Sequence, residues 1–593
     1  MDDVSQTRPN LALLGLLIAG LSLPVSAQEA RPEPRPDDLA APDDDARSGP
    51  PIFGLAGPYL AARMATVQND FRAAARYFAR AVAHDPGDQY LQDNALLALI
   101  SAGEVNRATR LAVEMAQDGG ETELAELVNN VQLVHQGQWS QLLEGNGQPV
   151  QQDDLLTGMI HAWALLGAGR AGDSLAEFER LANLPGVGPM VNYHLGLARA
   201  MVGDYEGAEA LLSQDQTAIH LLGIIARVQV LAQLDRRADA IALLDEVPGL
   251  EAEPQLLELR ERLQLDPPIS FDVVTSPADG IAQVLLTFAS ALSAAPDPEP
   301  LSLVHARLAA WLSPDTAEMR LMVAQLLQER EQFDLAEAEF DALRRLGQVR
   351  PIAELARIDA LSRAERADEA ERVALALTEA SPDLPQAWVA LGDLLRRQEK
   401  FAQAVPAYDR ALSLLQDAPG QARWFALYAR GIALERAGDF ERAEQDFLAA
   451  IEINPEEPSL LNYLGYSWID RNQNLEQGLE LIKKAVELSP GDGYILDSLA
   501  WAYYRLGRYE DAVAPMEQAI ATMSSDPLVN DHLGDIYWKV GRYREAEIQW
   551  RRALSLEPTD SGEVDPDRLR AKLERGLDRV LEEEESAADA GDG

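Results

Sequence analysis

The sequence predicts an all-α fold, an α-solenoid of about 13 or 14 stacked helix pairs in two arrays. Three observations lead there. The chain has 593 residues, too many for one hydrophobic core, which stops growing near about 250–300 residues. Hydrophobic residues make up 47%, so the chain has the apolar surface to fold rather than stay an acidic, disordered polymer. A unit of about 34 residues recurs along it, the period of a helix-pair array.

From the N-terminus, Leu11 to Val25 is an apolar run of 15 residues, shorter than the roughly 20 that cross a bilayer. Small residues follow at Val25-Ser26-Ala27. Residues 1–27 are therefore expected to be a cleaved signal peptide, although Asp2 and Asp3 stand where positive charge is usual. Residues 28–53 form a Pro/acid-rich linker that cannot build a core. An N-terminal array spans 54–265, and a C-terminal array spans 281–562. Between them, 266–280 (DPPISFDVVTSPADG) breaks the register with three prolines and a short β-like run, Ile269 to Val274. Residues 563–593 read as a C-terminal helix and acidic tail.

The repeat is clearest over 385–560. Trp388 and Gly392 with Ala404, Tyr408 and Ala411 return 39 residues on as Leu427, Gly431, Ala443, Phe447 and Ala450. The pattern returns again in Leu464-Gly465 with Ala485, in Leu499-Ala500 with Ala512 and Ala519, and in Leu533-Gly534 with Ala546, Trp550 and Ala553. Pro455, Pro490 and Pro558 close units, since proline cannot continue a helix. Fainter units keep the period from starts near 55, 89, 155, 189, 283, 317 and 351, and those near 123 and 221 are degenerate. Small residues sit where two helix axes approach. Tyr408, Phe447 and Trp550 are expected to fill the gap to the next unit. The pattern resembles the tetratricopeptide repeat, which implies a right-handed superhelix of antiparallel helix pairs.

Composition removes several functions. With 97 acidic against 51 basic residues the formal charge is −46, opposite to what nucleic acid or an anionic membrane attracts. With no cysteine there is no disulfide, thiolate metal site or Cys nucleophile. Gly167-Ala168-Gly169-Arg170-Ala171-Gly172 fits G-x-G-x-x-G, but no strand precedes it and it falls at a turn between helices, so it is not a dinucleotide loop. The seven histidines are scattered. His532 beside Asp531 and Asp535 is the one imidazole–carboxylate group on a helical face, and a structural histidine is the preferred reading. No catalytic residue, metal or cofactor is expected.

The family resemblance implies that first helices line a concave face, with positions 2, 5, 9 and 12–13 pointing inward. That assigns Val389, Asp393, Arg396 and Arg397; Phe425, Tyr428, Ile432 and Arg436; Asn462, Tyr466 and Ile469; Tyr494, Asp497, Trp501, Tyr504 and Arg505; and Asp531, Asp535, Trp538 and Lys539. Aromatics beside Arg and Asn are what partner-binding surfaces favour. Of these, Arg396, Arg397, Tyr428, Asn462, Tyr466, Tyr494, Asp497, Trp501, Tyr504, Arg505, Asp535 and Trp538 are the expected contacts for a protein or peptide partner. With Glu435 and Asp470 counted among the inward positions, six acids (Asp393, Glu435, Asp470, Asp497, Asp531 and Asp535) against five bases (Arg396, Arg397, Arg436, Arg505 and Lys539) make the groove near neutral. Tyr59, Tyr90, Trp163 and Tyr193 offer a sparser line in the N-terminal array. Tyr466 and Trp501 stand where the family's carboxylate clamp wants Asn, so that peptide mode is not expected.

The stretch from Leu461 (LLNYLGYSWIDRNQNLEQGLELIKKAVELSPGDGYILDSLAWAYYRLGRYEDA) resembles long proteobacterial envelope repeat proteins. These include a lipoprotein adaptor that recruits a carboxyl-terminal-processing protease. This chain lacks the adaptor's lipid-bearing cysteine. The expectation is an exported, periplasmic, non-enzymatic scaffold or adaptor, with no integral membrane span after signal cleavage. A component of an envelope or polysaccharide-export machine is the alternative, and an enzyme a remoter one.

Overall fold

The computed structural model describes residues 54–591 except 120–121, 145–153, 219, 248–249, 251–252, 266–267, 295–299, 348–349, 417–419 and 557–563. The expected signal peptide and linker lie outside the described residues. Among the described residues there are 31 α-helices and no strand. In chain order, all but Pro254–Leu265, Pro566–Arg575 and Leu577–Gly591 fall into fourteen successive pairs. None is long and apolar enough to cross a membrane. The fold is an all-α solenoid.

Each pair follows from its sequence. In Pro385–Arg397 and Phe401–Leu414, proline opens the first helix, where its missing N–H costs nothing. The turn between them passes through a left-handed residue, as helix ends commonly do. That residue is glycine at Gly438 (φ +93°) and Gly541 (φ +82°), but Glu399 at φ +57°. Asp492 and Asp526 cap the helices that follow them, accepting from the second and third backbone N–H groups. Pro406 and Pro515 lie inside continuous helices.

The small–large pattern packs differently from the expectation. A Cβ on Gly392 would lie 2.7 Å from the Tyr408 ring, one on Gly431 2.5 Å from Phe447, and one on Gly534 2.4 Å from Trp550. The aromatic therefore fills the space beside the glycine of its own pair, not only the gap to the next. The second helix can approach because the first has no side chain there. Ala404, Ala443 and Ala546 are fully buried beside them.

The described residues form two compact units that divide between Val373 and Ala374. The segment 266–280, read from sequence as the joint between arrays, runs inside the first unit. Its part from 268 to 276 has no helix or strand and is pinned: Gln229 Nε2 donates to Asp272 Oδ1 (2.5 Å) and accepts the Asp272 N–H at Oε1 (2.9 Å). Gln233 reaches the carbonyl of Ile269, and Ile269 and Val274 are buried. The next pair begins at Pro277, not near 283, under a capping box of Ser276 and Asp279.

Within the first unit, helix Pro277–Ser293 packs on the first helices Leu155–Gly167 and Gly188–Met201. Helix Leu301–Leu312 packs on Gln89–Ser101 and Glu123–His135. Gly280 lies against Trp163, where a Cβ would meet the indole at 2.4 Å. Tyr193 Oη donates to Gln283 (2.6 Å), and His135 stacks on Trp311 at 4.0 Å. The result is one continuous core from Ala62 to Met319.

In the second unit, Pro385–Arg397 to Tyr543–Ser555 form five pairs, followed by Pro566–Arg575 and Leu577–Gly591. Leu569 and Leu577 enter the core of the last pair.

Candidate functional site

The two units treat the first-helix face differently. In the first, two of the four aromatics expected to line a groove are covered: Trp163 and Tyr193 are buried under helix Pro277–Ser293, whereas Tyr59 is half-buried and Tyr90 is 48% exposed. Trp163 Nε1 donates to His194 Nδ1 (3.4 Å), and burial holds the His194 imidazole down to about 3, so it is neutral. Around Trp163 and Tyr193 this surface is core.

In the second unit the face divides into four groups of side chains. At its start, Tyr408 Oη donates to the buried Asp393 carboxylate (2.7 Å). Arg396 lies 3.3 Å from both Asp393 and Tyr408, with its guanidinium half-buried. Arg397 is exposed beside it. Next comes an aromatic cluster: Tyr428 lies 6.4 Å from Trp424, 6.1 Å from Phe447 and 5.8 Å from Tyr463. Burial pushes the Tyr428 hydroxyl up to about 12. Asn462 is half-buried with its Oδ1 unpaired among the described residues, and Tyr466 is half-buried.

The third group is a stack. Trp501 lies between Tyr504 (4.6 Å, planes within 8°) and His532 (4.0 Å, within 14°). His532 Nδ1–H donates to the buried Asp497 (2.9 Å). Burial works to lower the His532 pKa, but the Asp497 carboxylate, with Asp531 and Asp535 beyond it, carries the balance above the ordinary value. Tyr494 stands 66% exposed at the edge, and Arg505 sits 3.8 Å from Asp470.

The fourth group is closed by the chain itself. Lys572, on Pro566–Arg575, has a fully buried side chain and donates to Asp531 (2.7 Å) and Asp535 (2.8 Å). Trp550 Nε1 also donates to Asp535 (2.9 Å). Trp538 Nε1 donates to Asp578 (2.9 Å), Lys539 pairs with the same carboxylate (2.6 Å), and the indole covers Gly576. Asp535 and Trp538, expected as partner contacts, hold the C-terminal helices in place. Asp497 is likewise spent on His532, not directed outward.

These pairings match most of the line's charges within the chain, bases as well as acids. Asp393, Asp497, Asp531 and Asp535 are buried and matched within the chain, and Glu435 lies 3.6 Å from Arg471. Arg397 and Arg436 stay exposed. With Arg396, they line an open cleft of about 360 Å3 together with Glu399, Phe401, Ile432 and Tyr463.

Family models for the tetratricopeptide repeat match residues 383–456, 428–493, 494–523 and 529–560. Residues 383–560 are tetratricopeptide repeats. TPR repeat-containing protein PA4667 of Pseudomonas aeruginosa is 32% identical over 202 residues, 31% of this chain and 32% of that protein. The matched region thus spans about a third of the relative's length. Among solved structures, the APC/C hetero-tetramer Cut9–Hcn1 is 15% identical with a TM-score of 0.36, covering 88% of this chain and 96% of that one. A tetratricopeptide repeat protein from Parabacteroides merdae is 16% identical with a TM-score of 0.35, covering 43% and 97%.

In this chain, reading by inward positions missed Phe401, Tyr463 and Lys572. Phe401 opens a second helix, Tyr463 is one residue past an inward position, and Lys572 lies beyond the last pair. Only the aromatic character of the first two was visible in the sequence. The G-x-G-x-x-G stretch is a helix-to-helix turn, with Gly169 at φ +76° between Leu155–Gly167 and Ala171–Ala182. Among the described residues no three His, Asp or Glu side chains are placed to hold a metal.

Proposed function

We propose that the protein is an exported, non-enzymatic scaffold of the periplasm that docks a protein or peptide partner on the first-helix face of residues 385–505. Tetratricopeptide repeats build scaffolds for protein–protein interaction. One observation carries the choice of surface: this stretch leaves Arg397, Arg436 and Tyr494 exposed and Tyr466, Trp501 and Tyr504 half-buried. In the first unit Trp163 and Tyr193 on the equivalent line are core, while Tyr59 and Tyr90 stay accessible. Aromatic and Arg side chains on an open face are the residues that anchor partners. The likeness of Leu461 to Ala512 to the envelope adaptors extends the proposal: the bound partner is a periplasmic protease or cell-wall enzyme that the scaffold brings to its substrate.

Site-directed photocrosslinking in the native host tests this. A photoreactive residue in place of Tyr494 or Arg436 should give one discrete adduct. The same residue in place of Leu448, which is 44% exposed on a second helix, should not. Adducts of equal yield from Leu448, or none from the first-helix positions, would refute the reading.

A further inference from the structure

We infer that helix Pro277–Ser293 is an acid-released cover on the first-helix face of the N-terminal array, and that charging of His194 loosens it and uncovers Trp163 and Tyr193.

The cover rests on those two aromatics. Gly280 lies on the Trp163 indole. Gln283 accepts the Tyr193 hydroxyl (2.6 Å), and its own amide donates to the carbonyl of Val273 (3.1 Å). His194 is tied to both. Its Nδ1 accepts the Trp163 indole N–H (3.4 Å), and its ring meets the Tyr193 ring edge-on at 5.1 Å. With Nδ1 accepting, the proton of the neutral ring sits on Nε2, which is buried and has no partner among the described residues. A second proton can go only to Nδ1. It sets N–H against the indole N–H and leaves a cation at a fully buried position. Charging therefore strikes at the contact on which the cover rests.

Among the described residues no carboxylate offsets that cation. Of the groups on helices packed against Gly188–Met201, His220 at the head of Leu221–Gln233 acts on the charge of His194, and it opposes it. The carboxylates there are taken up elsewhere. Asp173 pairs with Arg170, Glu177 with Arg180, Glu179 and Asp204 with Arg199, and Glu209 with Arg227. Glu206 is exposed, and Asp279 caps the cover's own helix. His161 lies under the influence of Glu177, and Glu318, which acts on Tyr193, pairs with Arg350. His532 in the second unit is the opposite case, since Asp497 holds its charge.

Closed, His194 takes no proton until about pH 3; open to water, it takes one near ~6.5. The folded value is the lower one. The closed form is thus fully favoured above ~6.5 and loses about tenfold for each pH unit below it. In acid the array gains two accessible aromatics of the kind that anchor partners.

Hydrogen exchange of the full chain, read by mass spectrometry as protection at pH 7 and pH 5, tests this. Protection of 277–293 should fall about twentyfold or more between them, because His305 on the next helix is also held neutral by burial. Residues 493–505, on the face that His532 joins, should show no such fall. His194→Asn keeps an acceptor for Trp163 but takes no proton. It should match wild type at pH 7 and shrink the fall about twentyfold. Histidine 15N NMR of the wild type needs no variant: His194 should show the Nε2–H tautomer and stay neutral in the closed form at pH 5. If His194→Asn is already loosened at pH 7, that tautomer decides. An Nδ1–H tautomer, or a charged ring in the closed form at pH 5, would overturn the inference. So would an equal fall in His194→Asn, a fall over 188–201 without one over 277–293, or no fall at all.

Discussion

Burial and charge pull His532 in opposite directions, and the charge of Asp497 prevails. The sign of the resulting pH dependence is fixed. The folded pKa lies above the unfolded value near ~6.5, so the charged pair contributes fully below that value. The contribution is lost as pH rises through the folded pKa. Asp497→Asn should therefore cost about 1.5–3 kcal/mol at pH 5.5 and less at pH 8.5, in denaturant unfolding followed at both. It should also lower the His532 midpoint in an NMR titration of 13C-labelled histidine. An equal penalty at both pH values would mean that the imidazole is neutral throughout. The sequence placed His532 among acids but not which acid holds it. Asp531 and Asp535 are its neighbours in the chain, yet the bond goes to Asp497, 35 residues away. By contrast, Gly392 and Gly534 were legible as close-approach sites, because a glycine 16 residues before a large aromatic, as also at Gly431, has one steric meaning.

Among helices, Pro566–Arg575 shows how a terminal element is fixed by a buried charge group as well as by apolar area. Its Lys572 is buried between Asp531 and Asp535, with Arg568 4.0 Å from Asp535. Removing one member of a buried ionic group strands the others, at about 3–5 kcal/mol. Lys572→Met should therefore speed hydrogen exchange over 566–575 and leave 385–436 unchanged. Adding Asp531→Asn and Asp535→Asn should restore most of the protection, since no charge is then left unpaired. Unchanged exchange on Lys572→Met would show that the helix is held by packing alone, and failure of the triple variant to recover would show that the ion pairs themselves hold it. Helices Pro277–Ser293 and Leu301–Leu312 teach the complementary lesson. Their apolar pattern is that of any repeat helix, so the sequence assigned them to an ordinary pair. Their packing on four earlier first helices depends on contacts such as Gly280 with Trp163, which join residues more than a hundred positions apart.

For the whole molecule, stability in a repeat array is a sum of unit and neighbour terms, and the excess of acid works against it. Many arginines already sit in ion pairs, such as Arg430 with Asp446 at 2.7 Å and Arg357 with Glu337. The 97 acids still outnumber the 51 bases, so repulsion among unmatched carboxylates dominates the long-range field. Raising NaCl from about 10 mM, where the Debye length is near ~30 Å, to about 0.15 M, where it is near ~8 Å, should raise the thermal midpoint in differential scanning fluorimetry. A fall would mean that surface ion pairs outweigh the repulsion. At this scale the sequence by itself determined the all-α repeat, its period, its turns and its small and large packing positions. Those follow from local rules that hold within a single pair of helices. Only the tertiary structure decided which part of the first-helix face is open. The helices 277–312 fill it in one unit, Lys572 and Asp578 close its end in the other, and the acids between are consumed by internal partners. Each of these choices is a contact between residues far apart in the chain, and such contacts leave no periodic trace in the sequence.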